Sequence, residues 1–200
     1  MTQDQALYAT ARSFKPLGLR KFSPTRQTLA VILGTLFLAA CSYMTIPMVP
    51  VPMTMQTFGV GVIGAIYGWK LGGITIIVWL LEAAVGLPVL SSGGGGIARF
   101  AGPTAGYLFA FPFVGAFVGY LTERGWDGKR PVLALVSMLA LNGICLIVGG
   151  LWLSTSVGLE RAMDLGVMPF LLGGVLKSVL GALALLVLER WPLFARGGSS

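Results

Sequence analysis

The sequence has no histidine and only seven acidic residues in 200 positions. The first lack removes the commonest general base and the commonest metal ligand. The second leaves few carboxylates for paired acid–base work, and most of them flank apolar runs. Charged residues make up only 10% of the chain, against roughly 25% in a soluble domain, so the chain cannot solvate its whole surface. Its two cysteines, Cys41 and Cys145, both fall inside apolar runs and read as buried small hydrophobes rather than as a disulfide. No P-loop spacing occurs, so the chain carries no nucleotide-binding motif of that form. These absences argue against an intramembrane enzyme, and neither a cofactor nor a metal is expected.

What is present is apolar: 56% hydrophobic residues and a mean hydropathy of +0.85. The length suits six spans of ~20 residues joined by short links. The expected fold is an all-α integral membrane protein, a bundle of six transmembrane helices with a substrate pocket near the outer face. Residues 1–27 read as a cytoplasmic basic arm, 28–190 as the membrane domain, and 191–200 as a cytoplasmic tail, disordered and in part artificial. The arm holds Arg12, Lys15, Arg20, Lys21 and Arg26 against Asp4. Beside a span this is a topology signal in contact with anionic lipid, not a nucleic-acid site, and it is no secretory leader.

The spans are expected at Thr28–Ile46, Thr57–Trp69, Leu71–Leu87, Gly102–Leu121, Pro131–Leu153 and from Pro169 to about Arg190, with Ser23-Pro24-Thr25 before the first and a polar link over 154–167. Small residues four apart on the first span, Ala30/Gly34 and Thr35/Ala39, form stripes that let a second helix approach. They serve either packing within the chain or docking onto a membrane partner. Pro47, Pro50 and Pro52 exclude a regular helix after the first span. That segment is apolar, so it is expected to fold back and line a cavity, where irregular backbone is tolerated; Met48, Met53 and Met55 suit an adaptable wall.

The stretch Pro88 to Tyr107 organises the rest. Gly93 to Gly96 form no helix, so they are either flexible or admit close backbone approach. Arg99 follows, and the stretch reads as the mouth over a small anionic ligand. With six spans both termini lie on one side, which carries eleven Lys and Arg residues against Arg99, Arg161 and Lys177 on the other. The asymmetry places both termini in the cytoplasm. The Pro-rich link, the Gly-rich loop and the 154–167 link then face outward.

Glu82 is expected ~9 Å, and Lys177 ~12 Å, in from the outer ends of their spans. Ionisable groups at such depth default to function. They form either a structural ion pair or a pair that also binds ligand. Together they suit a neutral head bearing N–H and C=O groups, with Arg99 forking onto a carboxylate. Gln56, Asn142 and Tyr107 are further candidates.

Ile46-Pro47, Val51-Pro52-Met-Thr-Met-Gln-Thr57, Gly86-Leu-Pro-Val89, Gly102-Pro-Thr-Ala-Gly-Tyr107 and Pro169-Phe-Leu with Lys177 resemble, as an ordered set over about 28–190, the BioY family of substrate-binding (S) components of energy-coupling-factor vitamin transporters. The resemblance implies six helices, biotin as the transported substrate, and docking through the small residues of helix 1 (Ala30, Gly34, Thr35, Ala39) onto a transmembrane coupling protein driven by two ATPase subunits. It implies location in the bacterial cytoplasmic membrane. Biotin, a carboxylate, an aliphatic chain and a ureido ring, fits the chemistry read from the residues. One departure stands out: the family often has an acid three residues before the last-span lysine, where this chain has Gly174. Glu82 is then the acid expected to replace it, with Asp164 a poorer choice. The alternative within the family is a solitary biotin transporter that works without ATPases; outside it, a structural membrane subunit would leave Glu82, Lys177 and the glycine loop unexplained.

Overall fold

The computed structural model describes residues 23–190. The basic arm before them and the tail after them lie outside the described residues. Helix α1, Pro24–Tyr43, opens with proline in its first turn, where the missing N–H costs nothing. It therefore begins and ends a few residues earlier than the sequence suggests. The prolines that follow forbid a helix, and the backbone there pairs instead as two short antiparallel strands, β1 Thr45–Ile46 and β2 Met53–Thr54, with Thr45 opposite Thr54. These are the only two strands among the described residues of an otherwise helical fold.

Helix α2, Gln56–Ala84, is interrupted at Gly68 (φ 77°, ψ 174°). A methyl group built on Gly72 would lie 3.0 Å from the Gly64 Cα, whereas positions eight apart in a straight helix are ~12 Å apart. Val60 and Ile76 likewise meet at Gly115. Both pairs are symmetric about Gly68, so the two halves of α2 fold back against each other. Gly64 has no room for a side chain against the Gly115 carbonyl, and this lets the α2 halves close on α3, Ala105–Glu123.

Helix α4, Pro131–Val157, ends where Gly158 takes φ 85°. The expected polar link over 154–167 is helical instead. A single turn, α5 Leu159–Ala162, and a wide turn, Met163–Val167, lead into α6, Met168–Arg190. Glu160, Arg161 and Asp164 stay exposed while Ala162 and Gly166 are buried, so the polarity of this segment marks one helical face rather than a loop. Counting Leu159–Arg190 as one, five helices are long and apolar enough to cross a membrane. The core between them centres on fully buried Trp79, Ile76, Leu38, Met138 and Leu141, with Trp79 stacked on Phe111 at 6.0 Å.

Polar contacts define the two ends of the bundle. At one end the Tyr67 hydroxyl donates to the Ala30 carbonyl (2.7 Å), the Trp69 N–H donates to Glu123 Oε1 (3.3 Å), and Lys129 pairs with Glu189 (3.3 Å). At the other, Tyr43 donates to the Pro88 carbonyl (2.6 Å) and the Trp152 indole to the Gly102 carbonyl (3.1 Å). The glycine-rich loop lies at this second end and is ordered. It makes two short turns, Ser91–Gly93 and Ile97–Phe100, and the Gly96 N–H caps α2 through the Ala83 carbonyl at 2.7 Å. Gly95 sits against the Leu87 carbonyl with no space for a side chain. Of the two readings of the glycine run, close backbone approach is the one observed.

Candidate ligand-binding site

Two irregular segments, the Pro-rich ribbon and the glycine-rich loop, meet over one cavity that is open at its mouth. Its apolar wall is Val51 and Pro52 from the ribbon, Leu108 and Phe111 from α3, Leu146 from α4 and Phe170 from α6. The Pro-rich segment thus does fold back and line a cavity, through Val51, Pro52 and Thr54. Met53 packs instead against Gly173 of α6.

The polar groups of the lining come from several elements. Lys177, half-buried on α6, donates from Nζ to the Thr54 carbonyl at 3.1 Å, meeting a backbone oxygen that the short ribbon leaves without a helical partner. That contact fixes the ammonium against the end of the ribbon and leaves two of its three N–H donors for other partners. Thr54 Oγ1 bonds Gln56 Oε1 at 2.9 Å, and the Gln56 amide nitrogen reaches Ser42 Oγ on α1 at 3.2 Å. Asn142 donates from Nδ2 to the Met138 carbonyl and to Ser178 Oγ, both at 3.0 Å. With its amide nitrogen doubly engaged, Asn142 keeps its carbonyl oxygen without a hydrogen bond among the described residues. Ser178 in turn donates to the Gly174 carbonyl at 2.7 Å, which fixes the Asn142 orientation. Arg99 lines the mouth and is exposed, its guanidinium resting 2.8 Å from where a Gly94 side chain would begin. Glycine at 94 therefore makes room for the cation.

Of the six residues expected from the sequence, Arg99, Lys177, Gln56, Tyr107 and Asn142 line this cavity. Tyr107 lines it with its ring; its hydroxyl is committed to the Gly166 carbonyl at 2.7 Å, so it staples α3 to the turn before α6.

Glu82 does not join them. The helix ends at Ala84, earlier than the expected Leu87, so Glu82 sits in the last turn, half-buried and outside the cavity. Among the described residues it forms no ion pair with Lys177, and the expected pair is withdrawn. Asp164 is exposed and also outside the cavity, so neither acid takes the place left by Gly174.

The stripe on α1 is corrected too. Ala30, Gly34 and Thr35 are buried, and a side chain on Gly34 would meet Thr75 at 2.6 Å and Tyr67 at 3.0 Å. Small residues there admit α2 of the same chain, not a partner; Ala39 is half-buried. The outward face of α1 carries Leu29, Leu33 and Leu36.

The sequence reading passed over Thr57. It lines the cavity, and its hydroxyl is a buried oxygen without a hydrogen-bond partner among the described residues. A threonine inside a helix usually bonds the carbonyl four residues back. At Thr57 that position is Met53, in β2, so the hydroxyl is left to the cavity. Ser91 and Thr104 were passed over as well; nothing in their spacing distinguishes them from turn residues.

A solved structure, a crystal structure of the S-component for biotin from an ECF-type ABC transporter, matches this fold with a TM-score of 0.65 at 24% identity, covering 96% of this chain and 95% of that one. Among curated relatives, a probable biotin transporter BioY of Pyrococcus horikoshii is 37% identical over 163 residues, covering 80% of this chain and 94% of its own length. The biotin transporter BioY of Rhizobium etli is 41% identical over 143 residues, 68% of this chain and 76% of its own. The BioY family model matches residues 10–195, which spans the five apolar helices and all the cavity residues, and the chain belongs to the BioY family.

Proposed function

We propose that this chain is a biotin-binding membrane subunit that captures biotin and delivers it across the membrane. The observation that carries the reading is the set of groups lining one cavity: Arg99 on the exposed glycine-rich loop, an apolar wall that includes Leu108, Phe111 and Leu146, and Lys177, Asn142, Gln56 and Thr57 among its polar groups. Biotin has matching parts, with a carboxylate for Arg99, a valeryl chain for the wall, and a ureido ring for the polar groups. Asn142 then accepts a ureido N–H, and Lys177 donates to the ureido oxygen.

In this reading the two halves of α2 each count as a crossing, the chain crosses six times, and the cavity opens to the outside with both termini in the cytoplasm. Release inside is driven by an ATPase module through a transmembrane coupling protein; the family relationship supports this, and the solitary mode is the other outcome of its test. Titration of labelled biotin into the purified protein tests binding: saturable binding abolished by unlabelled biotin supports it, and its absence rejects it. Uptake by cells with and without the coupling and ATPase genes separates the two modes.

A further inference from the structure

Among the described residues the cavity is lined by two cations and no acid. Arg99 and Lys177 line it, and no aspartate or glutamate does. Lys177 has no ion pair among the described residues; its ammonium meets a single neutral acceptor, the Thr54 carbonyl, and keeps donors to spare. The nearby groups Asn142, Gln56 and Thr57 are neutral. Position 174, one turn before Lys177, is a glycine in which a side chain would have ordinary space beside Asn142, its first atom 3.6 Å from the Asn142 Cβ. Among the described residues, no ionised group therefore balances the charge of Lys177.

A half-buried cation without a counter-ion gains most from an anion, since the attraction of opposite charges then adds to the hydrogen bond. The ureido oxygen of biotin offers Lys177 only a neutral acceptor. The geometry points to a second ligand class for this cavity: α,ω-dicarboxylic acids with an apolar middle, one carboxylate on Arg99 and the other on Lys177. The inference rests on the reading of this cavity as a carboxylate-binding site, but not on biotin being its ligand. Such diacids compete with biotin for the same space and leave the apolar wall filled by methylenes.

The test is a calorimetric titration of the full chain in lipid nanodiscs with heptanedioic, octanedioic and nonanedioic acids, with monocarboxylic acids of the same lengths, and with biotin. At least one diacid is expected to bind tenfold or more tightly than its monoacid and to displace biotin. Lys177→Gln is expected to erase that advantage. Gly174→Asp, which sets a carboxylate three residues from Lys177 on the same helix face, is expected to weaken the diacid at least tenfold and leave biotin bound. Diacids no tighter than monoacids overturn the inference on wild-type protein alone, as does an advantage that survives in both variants. Biotin binding with no diacid binding overturns the inference and leaves the proposed function standing. Diacid binding without biotin binding does the reverse, and binding of neither rejects both.

Discussion

Arg99 and Thr57 represent two different ways in which a residue becomes a site residue. Arg99 is visible in the sequence because a cation in a glycine-rich loop has no structural reason to be there, and the structure sets it at the mouth. Replacing it with alanine should weaken biotin about tenfold, roughly 1.4 kcal/mol, and should weaken a biotin amide much less, because the amide lacks the carboxylate. Parallel titrations of both ligands check this, and equal losses would remove the carboxylate role. Thr57 was illegible, because its meaning depends on what lies four residues back, and that is a strand only once the prolines have folded. Its orphaned hydroxyl costs stability unless a ligand satisfies it. Thr57→Val should therefore weaken biotin by about 1 kcal/mol, several-fold, without lowering the thermal stability of the ligand-free protein, while Thr57→Ser keeps the affinity. A valine variant that binds like the wild type would show that the hydroxyl faces no ligand group.

At the scale of elements, the sequence revealed the helices better than the faces they bury. Long apolar runs separated by prolines, glycines and charges set the spans to within a few residues, and the break inside α2 was expected within two residues of Gly68. Which side of each helix points inward was not legible, because a helix in lipid is apolar all round and no polar stripe marks its outer face. That is why the small residues of α1 admitted two readings, and why Glu82 was put at a depth that an earlier helix end denies it. The same reasoning now predicts that Gly34→Trp disrupts the folded bundle itself, since Thr75 and Tyr67 already fill the space; loss of monodisperse protein in detergent would show it. Gly68 bears a φ of 77°, a region that costs a residue with a side chain ~1–3 kcal/mol. Gly68→Ala should lower the unfolding midpoint accordingly. Gly143→Ala is the control: Gly143 lies inside α4 with nothing within 4 Å of an added methyl. It should be neutral or stabilising by up to ~1 kcal/mol. Equal effects from the two alanines would mean that the turn at Gly68 bears no strain.

For the molecule as a whole, the charge asymmetry read from the sequence can be attached to geometry. The end closed by the Tyr67–Ala30, Trp69–Glu123 and Lys129–Glu189 contacts carries Arg26, Lys70, Arg124, Lys129, Arg130 and Arg190. The end closed by Tyr43–Pro88 and Trp152–Gly102 carries Arg99 and Arg161. Cytoplasmic ends of membrane proteins are enriched in Lys and Arg, so the first end should face the cytoplasm and the cavity mouth the outside. This depends on α2 folding back at Gly68: without that reversal, Gln56 and Ala84 would lie at opposite ends, and the glycine-rich loop could not cap α2 beside the ribbon. Single cysteines read the orientation directly in a background where Cys41 and Cys145, both buried, are replaced by serine. Ile97 is 73% exposed beside Arg99, and Ile97→Cys should react with a membrane-impermeant maleimide on intact cells. Lys70→Cys should react only after the membrane is permeabilised. Labelling of both on intact cells would mean that α2 crosses once, and the reverse pattern would turn the cavity toward the cytoplasm and end its role in capture from outside.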